Sequence, residues 1–323
     1  MKNILIIHTG GTISMLENKA TGEVIPASKH PLSELQFHLQ TYANVEEQIE
    51  FDLPSPQITP AHMLKLAKRL ESLLPSYDGV VITHGTDTLE ETAYCLDLLL
   101  ETDKPVILTG AMRSSNEIGS DALYNLISSV RTAVHDHARD KGVLVVMNDE
   151  IHTANNVTKT STSNVATFQS PQYGPIGIIT RESIIFHHTI LTRHNRPNTD
   201  RISKNVYLLK AYAGMDGGLL QAVHGLQPDG VVIEGLGQGN LPKDTVGALR
   251  SLVSEQVPVV LVSRCYQGIV QPTYGYAGGG RQLQELGVIF ANGLTGPKAR
   301  IRLLIELEHT SNLKELEKTF ADN

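Results

Sequence analysis

Four consecutive aliphatic residues, Ile4 to Ile7, run straight into His8-Thr9-Gly10-Gly11-Thr12. The same order recurs where Val80-Val81-Ile82 leads into Thr83-His84-Gly85-Thr86-Asp87-Thr88. A short continuous apolar run bounded by turn residues fits a strand buried on both faces, the kind found in parallel sheets. Glycine at its end lets backbone or ligand come close, because no Cβ stands in the way and positive φ costs little. Each run therefore lifts a threonine to the end of a buried strand, Thr12 in the first and Thr86 in the second. Neither turn has the G-x-G-x-x-G spacing of a dinucleotide site or the Gly-Lys-Ser/Thr ending of a phosphate loop. Taken by itself, the first segment reads equally as an activated hydroxyl or as a tight turn with a solvent-facing one.

Further along, the alternation continues. Met15 to Lys29 is polar and carries Gly22 and Pro26, which reads as a loop long enough to act as a lid. Leu32 to Thr41 reads as helix and Ile49 to Leu53 as a strand ending in Pro54-Ser55-Pro56-Gln57. Thr59-Pro60 opens a helix to Leu74, with threonine as N-cap and proline in the first turn. Thr88 with Glu91 three residues on has the spacing of a capping box ahead of a helix to Leu100. Strand Val106 to Leu108 ends in Thr109-Gly110-Ala111, a helix follows from Asp121 to His137, and strand Val143 to Met147 leads into a hydroxyl-rich stretch, Asn148 to Thr167, that contains Lys159. Strands alternating with helices predict an α/β fold with a doubly wound, mostly parallel sheet. The loops at its strand C-terminal ends converge on one edge, so Thr12, Ser55, Thr86, Asp87 and Lys159 are expected to share a cleft.

The segment 191–205, rich in Arg, His, Asn and Pro, reads as a linker between an N-terminal domain over 1–190 and a smaller C-terminal α/β domain over 206–323. In the second domain strands are expected at Val206 to Leu209, Gly230 to Ile233, Val259 to Val262 and Val288 to Phe290, and helices at Gly218 to His224, Thr245 to Gln256 and Glu315 to Phe320.

Net charge is −7, and the 27 Lys and Arg residues form no cluster, which argues against a nucleic-acid partner. Cys95 and Cys265, far apart in sequence, make no disulfide framework and fit a reducing compartment. The start lacks the apolar segment of a signal peptide and no run approaches the ~20 apolar residues that span a bilayer, so a cytoplasmic location away from membranes is expected.

A threonine hydroxyl becomes a nucleophile only when something takes or orients its proton. Threonines on converging loops beside a lysine and an aspartate form a hydroxyl, amine and carboxylate set suited to acyl transfer, with the Lys159 ammonium lowering the cost of an alkoxide. Set against that, a lysine such as Lys159 seen alone is more often a solvated surface residue, and Asp87 reads equally as a helix-capping carboxylate. His8 and His84 precede the glycine turns and are expected to buttress them by hydrogen bonds.

Thr9-Gly10-Gly11-Thr12-Ile13 together with His84-Gly85-Thr86-Asp87-Thr88, at this separation, resembles the asparaginase/glutaminase family of amidohydrolases over nearly the whole chain. Val157-Thr158-Lys159-Thr160, Val165-Ala166-Thr167-Phe168 and the glycine-rich turn ending in Asn240 extend the likeness. The resemblance implies hydrolysis of the side-chain amide of L-asparagine to L-aspartate and ammonia through an acyl-enzyme on Thr12. Under it, Thr86, Asp87 and Lys159 form a second catalytic set, with the Thr86 hydroxyl and backbone N–H groups at the Gly85 turn stabilising an oxyanion. Ser55 and Asp87 hold the α-carboxylate and α-amino groups, and Ala111 places a carbonyl near the leaving ammonia. No metal or organic cofactor is implied. The family forms dimers of tight dimers, each site completed by a neighbour's C-terminal domain, which points to Asn240, Tyr274 and Tyr276.

Three positions depart from the family pattern. The tyrosine of the loop after the first threonine is missing, with Val24 in its slot; Arg264 to Gln284 offers no acidic residue to the substrate amine; and Pro56 stands where many members place glutamine. Tyr274 or Tyr276 of a neighbouring protomer is the expected substitute for the lost loop tyrosine. Two other readings remain beside the hydrolase: a non-catalytic asparagine sensor on the same scaffold, and the amidase component of a tRNA-dependent amidotransferase. Against the latter, Thr12 stands close to the start of the chain, where such components carry an added N-terminal domain.

Overall fold

The structure is a computed structural model that describes residues 1–26, 31, 36–190, 197 and 199–321. The chain divides into two compact units, Met1–Arg193 and His194–Asn323.

In the first unit β1 (Asn3–His8) is followed by a 3-10 turn at Thr12–Ser14, a hairpin of β2 (Met15–Glu17) and β3 (Val24–Pro26), α1 (Gln36–Leu39) and β4 (Asn44–Ile49). Then come α2 (Pro60–Leu73), β5 (Gly79–Thr83), α3 (Leu89–Leu99), β6 (Val106–Thr109), α4 (Ala122–Val134) and β7 (Val143–Met147). β8 (Glu150–Thr153), β9 (Thr158–Lys159), β10 (Phe168–Gln169), β11 (Gly177–Ile179) and β12 (Ile184–Phe186) complete it.

Eight strands make one sheet in the order β12-β11-β8-β7-β6-β5-β1-β4. Strands β4, β1, β5, β6 and β7 run parallel, and β8, β11 and β12 extend the sheet antiparallel. Ile4 to Ile7 of β1 and Val80 to Ile82 of β5 are sealed from solvent, as expected for central strands covered on both faces. Chain order reverses at β1, which has β4 on one side and β5 on the other. That reversal is a topological switch point, and open α/β sheets bind ligands in the crevice beyond the strand C-termini there. The residues at those ends are level with one another: His8 of β1 registers with Ile49 of β4 and with Thr83 of β5.

Several local expectations need correcting. The strand expected at Ile49 to Leu53 lies earlier, at Asn44–Ile49. It is a sheet edge with a solvent-facing side, so Glu46, Glu47 and Gln48 mask it, while Phe51 and Leu53 belong to a loop whose N–H groups donate to the His8 and Thr9 carbonyls. The lid expected at Met15 to Lys29 contains the β2–β3 hairpin, closed by a turn in which the Thr21 and Gly22 N–H groups donate to the Asn18 carbonyl; its last residues, 27–29, lie outside the described part. Of the helix expected at Leu32 to Thr41 the described portion is Gln36–Leu39, and 32–35 lie outside. The α4 helix stops at Val134, before a 3-10 turn at Asp136–Ala138. The polar stretch 148–167 holds β8 and β9, which short hydroxyl-rich runs concealed.

Residues 191–196 and 198 of the expected linker are outside the described residues. The second unit comprises β13 (Val206–Lys210), α5 (Gly218–Gly225), β14 (Gly230–Gly235), α6 (Val246–Ser254), β15 (Val259–Ser263), α7 (Gly280–Glu285), β16 (Ile289–Phe290), α8 (Gly296–Glu306) and α9 (Leu313–Ala321). Its four strands are parallel and stand in chain order. Leu220, Val223, Leu249 and Leu252 of α5 and α6 pack on Val231, Ile233, Val259 and Leu261. The helix α8 lies against β13, β14 and β15.

The helix opening at Thr59 has the threonine N-cap expected from its sequence, and the cap is reciprocal, with His62 as the partner. The Thr59 hydroxyl accepts from the His62 backbone N–H, and the Thr59 N–H donates to His62 Nδ1. Replacing Thr59 by alanine should lower stability by about 1 kcal/mol, and Thr59→Ser should not; urea unfolding of the two variants measures the difference.

Candidate active site

The turns after β1 and β5 are packed glycine on glycine. A Cβ on Gly11 would stand 2.2 Å from the Gly85 Cα, and one on Gly85 would stand 2.7 Å from the Ser55 Cβ. Gly11 also has φ near 84°, a left-handed conformation that a side chain disfavours. Three strand ends are thereby brought into contact: Gly11 beyond β1, Ser55 beyond β4 and Gly85 beyond β5. Thr12 directly follows the first of these glycines and Thr86 the second.

Ser55 is almost fully buried and is tied twice to the second turn. Its Oγ accepts the Asp87 backbone N–H at 3.1 Å, and its carbonyl accepts the Thr88 hydroxyl at 2.8 Å. The capping box expected at Thr88 and Glu91 is therefore absent, since the Thr88 side chain makes no cap bond to α3. That hydroxyl is committed to Ser55. The Asp87 N–H is likewise directed at Ser55 Oγ, which narrows the set of turn donors facing the crevice.

Lys159 joins the turn from a different element. Its Nζ donates to Thr86 Oγ1 at 2.9 Å and to Asp87 Oδ1 at 2.7 Å. The lysine side chain is largely covered, whereas the Asp87 carboxylate is 59% exposed and open to a further cation. One ammonium thus bridges a hydroxyl and a carboxylate at the crevice, an arrangement that lowers the cost of a developing negative charge. The Lys159 backbone N–H donates to the Glu90 carboxylate at 2.7 Å.

His84 is buried and neutral. Burial pushes its pKa down from 6.5 to about 4, opposed only in part by the bond to the Gly85 carbonyl. Nδ1–H donates to that carbonyl at 2.7 Å, and Nε2 faces the Thr92 hydroxyl at 2.9 Å. A trans peptide points its C=O and N–H in opposite directions, so the N–H of Thr86 faces away from His84. On β1, His8 Nδ1 meets the Thr83 hydroxyl at 2.8 Å, and Thr9 donates to the Thr83 carbonyl. Ala111, fully buried two residues beyond the end of β6, sits next to Gly110, whose carbonyl accepts from Asn125.

The N-terminal asparaginase family model matches residues 3–192, and the glutaminase/asparaginase C-terminal domain model matches residues 205–320. The chain belongs to the asparaginase family. A probable L-asparaginase of Deinococcus radiodurans is 38% identical over 99% of this chain and 98% of its own length. A component of the glutamyl-tRNA(Gln) amidotransferase of Pyrococcus abyssi is 34% identical over all of this chain and 76% of its own. Among solved structures, a probable cytoplasmic L-asparaginase from Campylobacter jejuni superposes with a TM-score of 0.88 at 32% identity, over the full length of both chains.

The remaining family positions lie in the second unit. The Asn240 side-chain carbonyl accepts the Gly280 N–H at 3.1 Å, and its backbone pairs with Leu236. Tyr274 and Tyr276 are about half exposed, with ring centroids 5.6 Å apart. Their loop is wound tightly at Gly279, where a Cβ would meet the Tyr274 carbonyl at 2.4 Å. Within the first unit, Ser115 donates to the Ile13 carbonyl, and the Asn116 side chain both donates to and accepts from the Glu17 backbone. Loop 113–120 of this asparaginase-family chain therefore anchors the hairpin after Thr12, a link between residues about a hundred positions apart that no local pattern reveals. Glu90 is a further residue that the sequence pattern does not single out; a carboxylate three residues after Asp87 is its visible sign.

Because the folded state depresses the His84 pKa, the neutral ring stabilises the fold fully above pH 6.5, and that contribution is lost as pH falls towards 4. The shift corresponds to about 3 kcal/mol. Urea unfolding at pH 7 and pH 4 should show a smaller stability gap for His84→Gln than for the wild type; an identical gap would mean that His84 is not the buried neutral group.

Proposed function

We propose that this chain hydrolyses the side-chain amide of L-asparagine to L-aspartate and ammonia, with Thr12 as nucleophile. The observation that carries this reading is the contact between Gly11 and Gly85, which sets the two threonines on adjoining turns, one of them already bonded to Lys159. Family membership and the relatives' names agree with it.

In the reaction, Thr12 Oγ attacks the amide carbon and the tetrahedral centre collapses to an ester on Thr12. The hydroxyl proton leaves with the amide nitrogen as ammonia. Water then attacks the ester, one of its protons returns to Thr12 Oγ, and aspartate is released. The Lys159 ammonium and the Thr86 hydroxyl stabilise the charge on the carbonyl oxygen. The exposed Asp87 carboxylate receives the substrate α-ammonium, and Ser55 sits beside the α-carboxylate. Ala111 lines the path of the leaving ammonia. Glutamine is longer by one methylene, worth ~1–3 kcal/mol in a pocket, and is the poorer substrate. The reaction needs no metal or organic cofactor.

Purified protein with L-asparagine should release ammonia without any tRNA, and Thr12→Ala and Thr86→Ala should each lower kcat by about 10²-fold or more. Release that needs tRNA would favour the amidotransferase reading that the Pyrococcus abyssi relative raises. Binding of asparagine without release would make the protein a sensor.

The assembly is a cytoplasmic dimer of dimers in this reading, and a neighbour's Asn240, Tyr274 and Tyr276 complete each site. The loop after Thr12 has Val24 in the tyrosine slot, and Val24 stands in β3 opposite Glu17. A neighbouring Tyr274 or Tyr276 hydroxyl then substitutes for the missing phenol. The Tyr274→Phe/Tyr276→Phe double variant should lose about 2.7–4 kcal/mol of transition-state stabilisation while sedimenting as the wild type does; unchanged turnover would remove the tyrosines from the mechanism.

A further inference from the structure

We infer that Glu90 is a positioning residue for Lys159, an inference that rests on the hydrolase reading above and deepens it. Glu90 is the second residue of α3 and, although a carboxylate, is nearly sealed from solvent. A buried carboxylate persists where hydrogen bonds satisfy it, and here it accepts the backbone N–H of Lys159 at 2.7 Å.

The topology gives this bond its consequence. Lys159 does not lie in the eight-stranded sheet. It sits in β9, two residues long, which forms a separate ladder with β10 through Phe168↔Lys159 and Gln169↔Thr158. The neighbouring Thr160 N–H is directed at β10, donating to the Thr167 carbonyl. Successive residues of a strand alternate in direction, so the Lys159 N–H points away from the ladder and towards α3. A two-residue strand is a weak support for a group that must stand within hydrogen-bond reach of Thr86.

Glu90 supplies the missing support from the element that carries Thr86 and Asp87 at its start. The lysine is held at both ends by carboxylates three residues apart: Asp87 takes its ammonium and Glu90 takes its backbone N–H. Any displacement of the turn then carries the lysine with it, and the distance from Nζ to the Thr86 hydroxyl is preserved. Glu90 also lies in the first turn of α3, where the helix dipole favours an acidic side chain. Glu90 reaches the reaction only through Lys159.

The test uses the full chain with L-asparagine. Glu90→Ala frees the β9 hairpin and should lower kcat by about 10²-fold, with KM changed by less than about threefold. Glu90→Gln keeps a carbonyl acceptor and should stay within about threefold of wild type; in a Lys159→Met background, Glu90→Ala should lower kcat no further than about twofold. In protein labelled with ¹⁵N-lysine, the Lys159 amide resonance should move upfield in Glu90→Ala and hold its place in Glu90→Gln, whatever the activity.

A fully active Glu90→Ala overturns the inference, as does an equal loss in the wild-type and Lys159→Met backgrounds, which marks a general structural role. Equal losses in Glu90→Gln and Glu90→Ala overturn it too, because charge and not the hydrogen bond would then matter. A wild type without ammonia release, or Lys159→Met as active as wild type, overturns the proposed function and the inference together. An active wild type and an impaired Lys159→Met beside an unaffected Glu90→Ala overturn the inference alone.

Discussion

Everything at the candidate site depends on two peptide backbones meeting without side chains between them. Gly11 and Gly85 approach so closely that a methyl group on either would occupy space held by the other turn or by Ser55. The contact is possible because β1 and β5 are neighbours in register, so their C-terminal turns emerge at the same level. Two buried apolar strands provide the energy, and two glycines decide how near the loops come. The threonines that follow inherit their placement from this contact.

Around it, polar groups are used economically. Ser55 commits both its hydroxyl and its carbonyl to the neighbouring turn, His84 fixes the Gly85 peptide in a neutral form, and Thr9 and His8 tie β1 to Thr83. Each of these bonds satisfies a buried group that would otherwise oppose folding. Together they make the strand ends a rigid frame, and Lys159 brings a positive charge into that frame from a separate hairpin.

The alternating part of the first unit was legible because burial on both faces leaves unbroken aliphatic runs, as in β1, β5, β6 and β7. Edge strands were not. Half of β4 faces water, and its Glu46, Glu47 and Gln48 look like loop residues. In the second unit the sequence conceals α8 for the opposite reason. Its Lys298, Arg302 and Glu306 recur every four residues and read as an exposed face, yet all three are buried. Arg302 approaches Glu306 at 3.7 Å and lies over the Phe320 ring of α9. Desolvation raises the Glu306 pKa in spite of that guanidinium and His309. A sequence pattern records which residues are charged and says nothing of whether tertiary partners cover them.

By itself the sequence determined the parallel α/β architecture, the strand-end turns and the family, because aliphatic run length, glycine spacing and hydroxyl placement are local properties. It also placed Thr86 and Asp87 in a single turn. Only the tertiary structure decided that β1 lies between β4 and β5, that the Thr88 hydroxyl serves Ser55 and not its helix, and that Glu90 holds Lys159. Those contacts join residues from about thirty to about seventy positions apart, and the direction of a hydroxyl or a carboxylate is set by whichever donor or acceptor the packed strands bring within reach.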